Sequence, residues 1–154
     1  MSHWSGDDLY FMRLAFEEAQ NAAWQDEVPI GAVLVVDGAI MGRGRNGPVE
    51  RNDPTAHAEI LALRDAAAYL KNYRLSGSTL YVTLEPCIMC FGALVQARVA
   101  RVVYGASDPK VGVGRWEDFL ADANLNHRMA LEGGLMEAEC KELLQDFFRR
   151  KRER

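Results

Sequence analysis

Two short segments hold residue types that bind metal, Thr55-Ala56-His57-Ala58-Glu59 and Glu85-Pro86-Cys87-Ile88-Met89-Cys90. Cys87 and Cys90 are three residues apart, so on a helix they face the same way. At a helix N-terminus the dipole and the free N–H groups favour their thiolates. His57 can add an imidazole, and two thiolates with one neutral imidazole match the N and S donors that zinc prefers. Three protein ligands leave the fourth tetrahedral position for water, which is the catalytic arrangement and not the structural one. Two thiolates also cancel the charge of the ion, so its water is acidified less than beside three histidines and a nearby base is needed. Glu59 is the candidate. It lies roughly 200° around a helix from His57, too far to share one ion from mid-helix. At the first turn, with the metal off the helix end, its carboxylate can sit beside the bound water instead.

Other readings of these residues exist. A lone CxxC also occurs as a redox dithiol or as half of a structural zinc knuckle, and a lone histidine is commonly a satisfied core or surface residue. A structural site would draw a fourth ligand from His3, His127 or Cys140, and Cys140 lies on an apolar helical stripe where packing is the simpler account. The HxE and PCxxC elements both fall at predicted helix starts, which neither a dithiol nor an isolated histidine explains.

The elements that must position them follow from pattern. Leu9, Met12, Phe16, Ala19 and Ala23 share one face, predicting an amphipathic helix over about 7–24. Ala32-Val33-Leu34-Val35-Val36, the turn Asp37-Gly38 and a return strand over 39–46 predict an antiparallel hairpin. The stretch 47–55 is rich in turn residues. Asp53-Pro54 reads as a helix N-cap followed by proline, opening a helix over about 55–71. Thr79–Leu84 reads as a central strand covered on both faces. Pro86 precedes a helix over about 87–98, Val102-Val103-Tyr104 is a further strand, and 105–114 a loop. Within 115–132 only Met129 and Leu131 suit a short edge strand. Met136, Cys140, Leu143 and Phe147, with Leu144 and Phe148 alongside, predict a last helix. Gly42-Arg43-Gly44-Arg45-Asn46-Gly47 matches GxGxxG, but it ends a strand and runs into Pro48 and not into a helix, so a dinucleotide site is not expected.

Composition sets the frame: 154 residues, 49% hydrophobic and 26% charged, suit a single domain over 1–154 with a full core and no need of disulfides. Three cysteines, two of them adjacent in spacing, argue for a reducing compartment. The apolar stretch 9–16 follows Asp7 and Asp8 and is interrupted by Arg13, so it is not read as a signal peptide, and no apolar run approaches a membrane span. A cytoplasmic protein without a membrane partner is expected. The formal net charge of −4 is polarised. Residues 149–154 hold five of the 18 basic groups and one of the 22 acidic ones, so the tail carries +4 and the remainder −8. Taken alone, such a tail is a solvated helix end that complements the helix dipole.

The HxE and PCxxC pair is the known signature of the zinc deaminases. The likeness runs on through Asn46, the run from Asn52 to Ile60, Asn72-Tyr73-Arg74-Leu75, the run from Thr79 to Cys87, Asn126-His127-Arg128 and Asp146-Phe147-Phe148-Arg149. Over nearly its whole length the chain resembles the bacterial tRNA-specific adenosine deaminases, members of the cytidine-deaminase-like superfamily. The resemblance implies an α/β fold, a three-layer α/β/α sandwich around a five-stranded mixed sheet, in a homodimer with one zinc ion per subunit. It implies hydrolysis of the wobble adenosine of a tRNA anticodon stem-loop to inosine. His57, Cys87 and Cys90 would hold zinc and Glu59 would shuttle protons to N1 and to the departing amine. Asn46 and the Ala58 N–H would hydrogen-bond the purine. Arg74, Asp108, Lys110, Asn126, Phe148 and the basic tail with Arg149, Lys151 and Arg152 would contact the anticodon loop, whose single strand lets a base be splayed out cheaply.

Three places depart from the family pattern: Arg45 beside Asn46, Phe91 after the second cysteine, and the loop 111–116. All three are candidates to border the substrate. Two other functions therefore stand beside the first, a deaminase of a free nucleobase or nucleoside (guanine, cytosine or adenine) and a non-catalytic RNA-binding or structural zinc domain.

Overall fold

In the computed structural model the described residues are 3–125 and 127–154. Helix α1 (Gly6–Trp24) starts in a capping box in which Ser5 Oγ accepts the Asp8 N–H at 3.0 Å and the Asp8 carboxylate accepts the Ser5 N–H at 3.1 Å. Its buried stripe is Phe11, Met12, Ala15, Ala19 and Ala22, so the face is turned from the expected one: Met12 and Ala19 are buried as predicted, whereas Leu9, Phe16 and Ala23 are only half-buried at its edges. β1 (Gly31–Val36) and β2 (Ala39–Arg45) form the expected hairpin, with Asp37 and Gly38 both at positive φ (51° and 76°), as a two-residue primed turn requires.

Between hairpin and next helix the structure differs from expectation. Pro48 opens a four-residue helix, α2 (Pro48–Arg51), inside the stretch expected as turns. Asp53 caps no helix: its Oδ1 accepts from the Thr55 N–H (2.9 Å) and hydroxyl (2.7 Å), closing a local turn. α3 (Ala58–Leu70) starts later, with His57 in the N-cap position.

Next come β3 (Thr79–Leu84), α4 (Ile88–Gln96, N-cap Cys87) and β4 (Arg101–Ala106), longer than the three residues expected. The weakly patterned region holds a 3₁₀ turn (Val113–Trp116) and α5 (Glu117–Asp122), then the edge strand β5 (Ala130–Gly133). α6 (Glu137–Arg152) ends the fold.

The sheet order is β2-β1-β3-β4-β5, antiparallel across the first three strands and parallel from β3 to β5, so β3 is central as predicted. Strand alternation splits the core. Ala32, Leu34, Leu80, Val82 and Val102 pack against α3 and α4, while Val33, Val35, Tyr81 and Val103 pack against α1 and the start of α6. These are the three layers of the expected sandwich. A smaller cluster of Phe91, Val95 and Val113 lies beneath Leu120 and Leu125.

The GxGxxG look-alike has a packing role. A methyl on Gly42 or Gly44 would overlap the carbonyl oxygen of Ala62 or Ala58, so these glycines bring β2 directly onto the backbone of α3 and fix where that helix begins. On the opposite layer, Asp8 is 5% exposed. It accepts from Tyr81 Oη (2.7 Å) and from both Arg101 terminal nitrogens (2.9 and 3.2 Å), joining α1 to β3 and β4.

The Arg101 guanidinium holds the Asp8 carboxyl below its ordinary value of 3.8. The folded group therefore gives up its proton more readily than the unfolded one, and its contribution is complete above that ordinary value and is lost as pH falls. Asp8→Asn should cost about 3 kcal/mol near neutral pH, as expected when a buried charge loses its partner. Urea unfolding at pH 7 and pH 3 should show the gap between variant and parent shrinking in acid.

Candidate metal centre and binding groove

The centre forms where α3 and α4 aim their N-termini at one point beyond the carboxyl ends of the parallel strands β3 and β4. His57 and Cys87 are the N-cap residues of these helices, and neither side chain caps its own helix. Both point into the space between. His57 Nδ1 lies 3.7 Å from Cys87 Sγ and 3.5 Å from Cys90 Sγ. Among the described residues, these three are the one group of ligand atoms clustered tightly enough to hold a metal ion, all within 4.8 Å of one another. Among the described residues no fourth protein ligand joins them. His3 lies beside Glu132 (3.4 Å), His127 Nε2 meets the Val99 carbonyl (2.7 Å), and Cys140 packs against Gly105.

Charge in the cluster is coupled. Cys87 is brought down to about 4, first by its hydrogen bond with Cys90 and then by His57. Cys90 is pushed up by that same bond and by burial, so without metal the pair shares one proton. Cys87 also raises His57. Glu59, in the first turn of α3 and 4% exposed, is pushed up to about 7 by burial. A buried carboxyl held near neutrality beside a metal cluster is suited to accepting and returning a proton.

Asn46 Oδ1 accepts the Ala58 N–H at 2.8 Å. The two groups expected to meet a purine are therefore bonded to each other, and Asn46 lines a separate groove with Arg43, Arg45 and Arg64 and not the cleft at His57 and Glu59. Asp108, Lys110 and Phe148 line a cleft of about 510 Å³ with His57, Glu59 and Cys87. A second groove of about 880 Å³ shares the Lys110 and Phe148 walls and continues along α6 to Lys151 and Arg152. Lys151 is also paired with Asp26 (2.8 Å), and Arg149 lies off the groove, paired with Asp146. Arg74 is not brought to the cleft: it precedes β3, at the opposite end of that strand, exposed and stacked on Tyr73. Asn126 lies outside the described residues. Of the three departures, Val111 borders the cleft, Phe91 is buried in the small third cluster, and Arg45 faces Gln25 and Glu18 on another surface.

Two buried carboxylates near the site carry no mark in the sequence pattern. Glu27, 3% exposed, accepts the N–H groups of Val49 (3.2 Å) and Glu50 (2.7 Å) and so anchors α2 behind Asn46. Glu85 accepts those of Asp108 (2.9 Å) and Gly114 (2.6 Å). Glu85 stands within the PCxxC run, but no pattern marks a carboxylate whose partners are backbone groups.

Fold and site together define a deaminase, and a model of the MafB19-like deaminase family matches residues 6–152. A tRNA-specific adenosine deaminase of Streptococcus pyogenes serotype M1 is 46% identical over 149 residues, 96% of this chain and 87% of that one. A solved structure from studies of A-to-I editing by tRNA:A34 deaminases superposes with a TM-score of 0.84 at 48% identity, covering 88% of this chain and 99% of the other. A guanine deaminase of Nitrosomonas europaea shares the fold at 24% identity, with a TM-score of 0.79 over 96% of this chain and 86% of its own. The chain belongs to the tRNA-specific adenosine deaminase family, and it is a hydrolytic deaminase. No helix among the described residues is long and apolar enough to cross a membrane.

His57→Ala should abolish stoichiometric metal binding, measured by metal analysis after dialysis, and full occupancy would overturn the ligand assignment. Loading the parent protein near neutral pH should release protons, because the thiol pair and His57 must give theirs up, and affinity should fall as pH falls.

Proposed function

We propose that the chain converts the wobble adenosine of a tRNA anticodon stem-loop to inosine, as a cytoplasmic homodimer of single-domain subunits with one zinc ion each. The observation that carries the RNA substrate is the groove leading from the metal cluster past Phe148 to Lys151 and Arg152. A free base needs only the inner cleft. An extended, cation-lined channel with an exposed aromatic side chain at its mouth fits a single strand whose bases stack and whose phosphates seek charge. The burial of Glu59 beside the ligand cluster speaks against a purely structural metal domain, which has no use for such a carboxyl.

Zinc suits the donor set. With Zn–S near 2.3 Å and Zn–N near 2.0–2.1 Å, tetrahedral geometry predicts about 3.6 Å between sulfur and nitrogen ligands, against 3.5 and 3.7 Å here. Bound there by His57, Cys87 and Cys90, zinc supplies the Lewis acidity that activates a water for attack on C6 of adenine. Glu59 would take one proton from the attacking water and deliver it to N1, then take the second from the hydroxyl added at C6 and hand it to the amine, which leaves as ammonia as the C6 carbonyl forms. The Asn46 amide, oriented by the Ala58 N–H, donates to the purine. Asp108 and Lys110 meet the neighbouring nucleotides, Phe148 stacks on a base, and Lys151 and Arg152 contact phosphates. Arg149 and Asn126 complete the proposed RNA contacts. Arg74, at the far end of β3, would reach RNA only when it is bound at the site of a second copy. The exposed Tyr69, Tyr73, Ile88 and Met89 on and beside α3 and α4 supply apolar surface for such a partner.

Zinc-loaded protein should form inosine in an anticodon stem-loop with adenosine at the wobble position and leave free adenine, guanine, cytosine and their nucleosides intact. Ammonia from a free base with an untouched stem-loop would reverse the substrate assignment. Glu59→Ala should keep zinc and lose at least roughly 10²–10⁴-fold in turnover. Removing residues 149–154 should weaken stem-loop binding and flatten its dependence on salt, by a slope of ~1–3 in log–log terms.

A further inference from the structure

We infer that Glu85 is a positioning residue for substrate binding: its carboxylate holds the 108–114 loop closed as one wall of the cleft. The inference rests on the RNA-deaminase reading above. Glu85 sits between the end of β3 and the metal-binding segment, 8% exposed. Its own N–H donates to the Ala106 carbonyl (2.8 Å), fixing it beside β4. Each carboxylate oxygen then receives one backbone N–H, from Asp108 and from Gly114, six residues apart.

The rest of the loop is built around that grip. Asp108 Oδ1 accepts the N–H groups of Lys110 (3.0 Å) and Val111 (3.2 Å), the Gly112 N–H donates to the Asp108 carbonyl (2.9 Å), and the Val113 N–H donates to the Pro86 carbonyl (2.8 Å). Asp108, Lys110 and Val111 thereby face the cleft. Glycine is required where the carboxylate enters. A Cβ at Gly112 would meet the Glu85 carboxyl at 2.5 Å, and one at Gly114 would meet Glu85 Oε2 at 2.8 Å.

No neutral side chain of this shape can take the place of Glu85, because the site offers two donors and asks for two acceptors. Glutamine has one acceptor oxygen, and its NH₂ would face an N–H. The loop would then lose one of its two anchors while the chain keeps the same volume. The group touches no reacting atom, so its effect should fall on substrate capture and not on the chemical step.

The test is E85Q in the zinc-loaded full chain, assayed on the anticodon stem-loop. Zinc content should equal that of the parent. KM should rise roughly tenfold or more while kcat changes less than about threefold, and amide exchange should quicken in a peptide covering 108–114 but not in one covering α3. G114A should reproduce the KM effect, and the double variant should be no worse than either single one, since both loosen one contact. Unchanged exchange, unchanged KM, a loss confined to kcat, or loss of zinc would each overturn the inference. A parent enzyme inactive on the stem-loop would instead sink the substrate reading, and the exchange comparison would still report whether Glu85 holds the loop.

Discussion

Two helices that point their N-termini at each other cannot stand without an answer to their charge. The positive ends of α3 and α4 converge, and the residues in both cap positions, His57 and Cys87, turn their side chains away from their own helices toward the common space. Thiolate charge at Cys87 supplies the answer. The ligands thus favour a meeting that the shared core of α3 and α4 holds in place. Everything else in the fold serves that meeting: the glycines of β2 bring in α3, the parallel β3–α4–β4 unit delivers the cysteines, and the small side chains of Ala58 and Ala62 let the layers close.

Around this centre the walls are held by carboxylates that grip backbone and not cations. Glu27 and Glu85 are both buried, and each receives two N–H groups from a segment without regular structure of useful length. A loop anchored at its backbone leaves its side chains free to face a ligand. Asn46 follows the same economy, since its carbonyl oxygen accepts from the start of α3.

Much of this was legible in the sequence, and the reasons differ by element. The α1 helix, the Asp37-Gly38 turn and the doubly covered β3 follow from local periodicity and turn chemistry, and the structure has all three, although the face α1 buries is turned from the expected one and shares only Met12 and Ala19 with it. His57, Cys87 and Cys90 were readable because metal chemistry restricts residue type and spacing together. The start of α3 was misplaced because Asp53 offers a plausible cap, whereas its oxygen is claimed by Thr55 two residues on and the true cap position belongs to a histidine with another task. α5 and the 3₁₀ turn were invisible for a different reason. Of their apolar residues Val113 and Leu120 pack on a small side cluster around Phe91 while Trp116 and Phe119 stay exposed, so no regular stripe emerges. Arg74 shows the limit of reading by resemblance alone, because a chain laid out in one copy cannot bring it to the cleft.

The ligands also divide unevenly along the chain. His57 follows the β1–β2 hairpin, whereas Cys87 and Cys90 belong to the β3–α4–β4 unit, 30 and 33 residues away. The seam between these halves is the antiparallel pairing of β1 with β3. An ion held by all three residues is therefore a cross-link across that seam, closing a loop that an unfolded chain must otherwise close by chance. Metal supply would then be a term in the folding equilibrium, adding to the strand pairing and core that already span the seam.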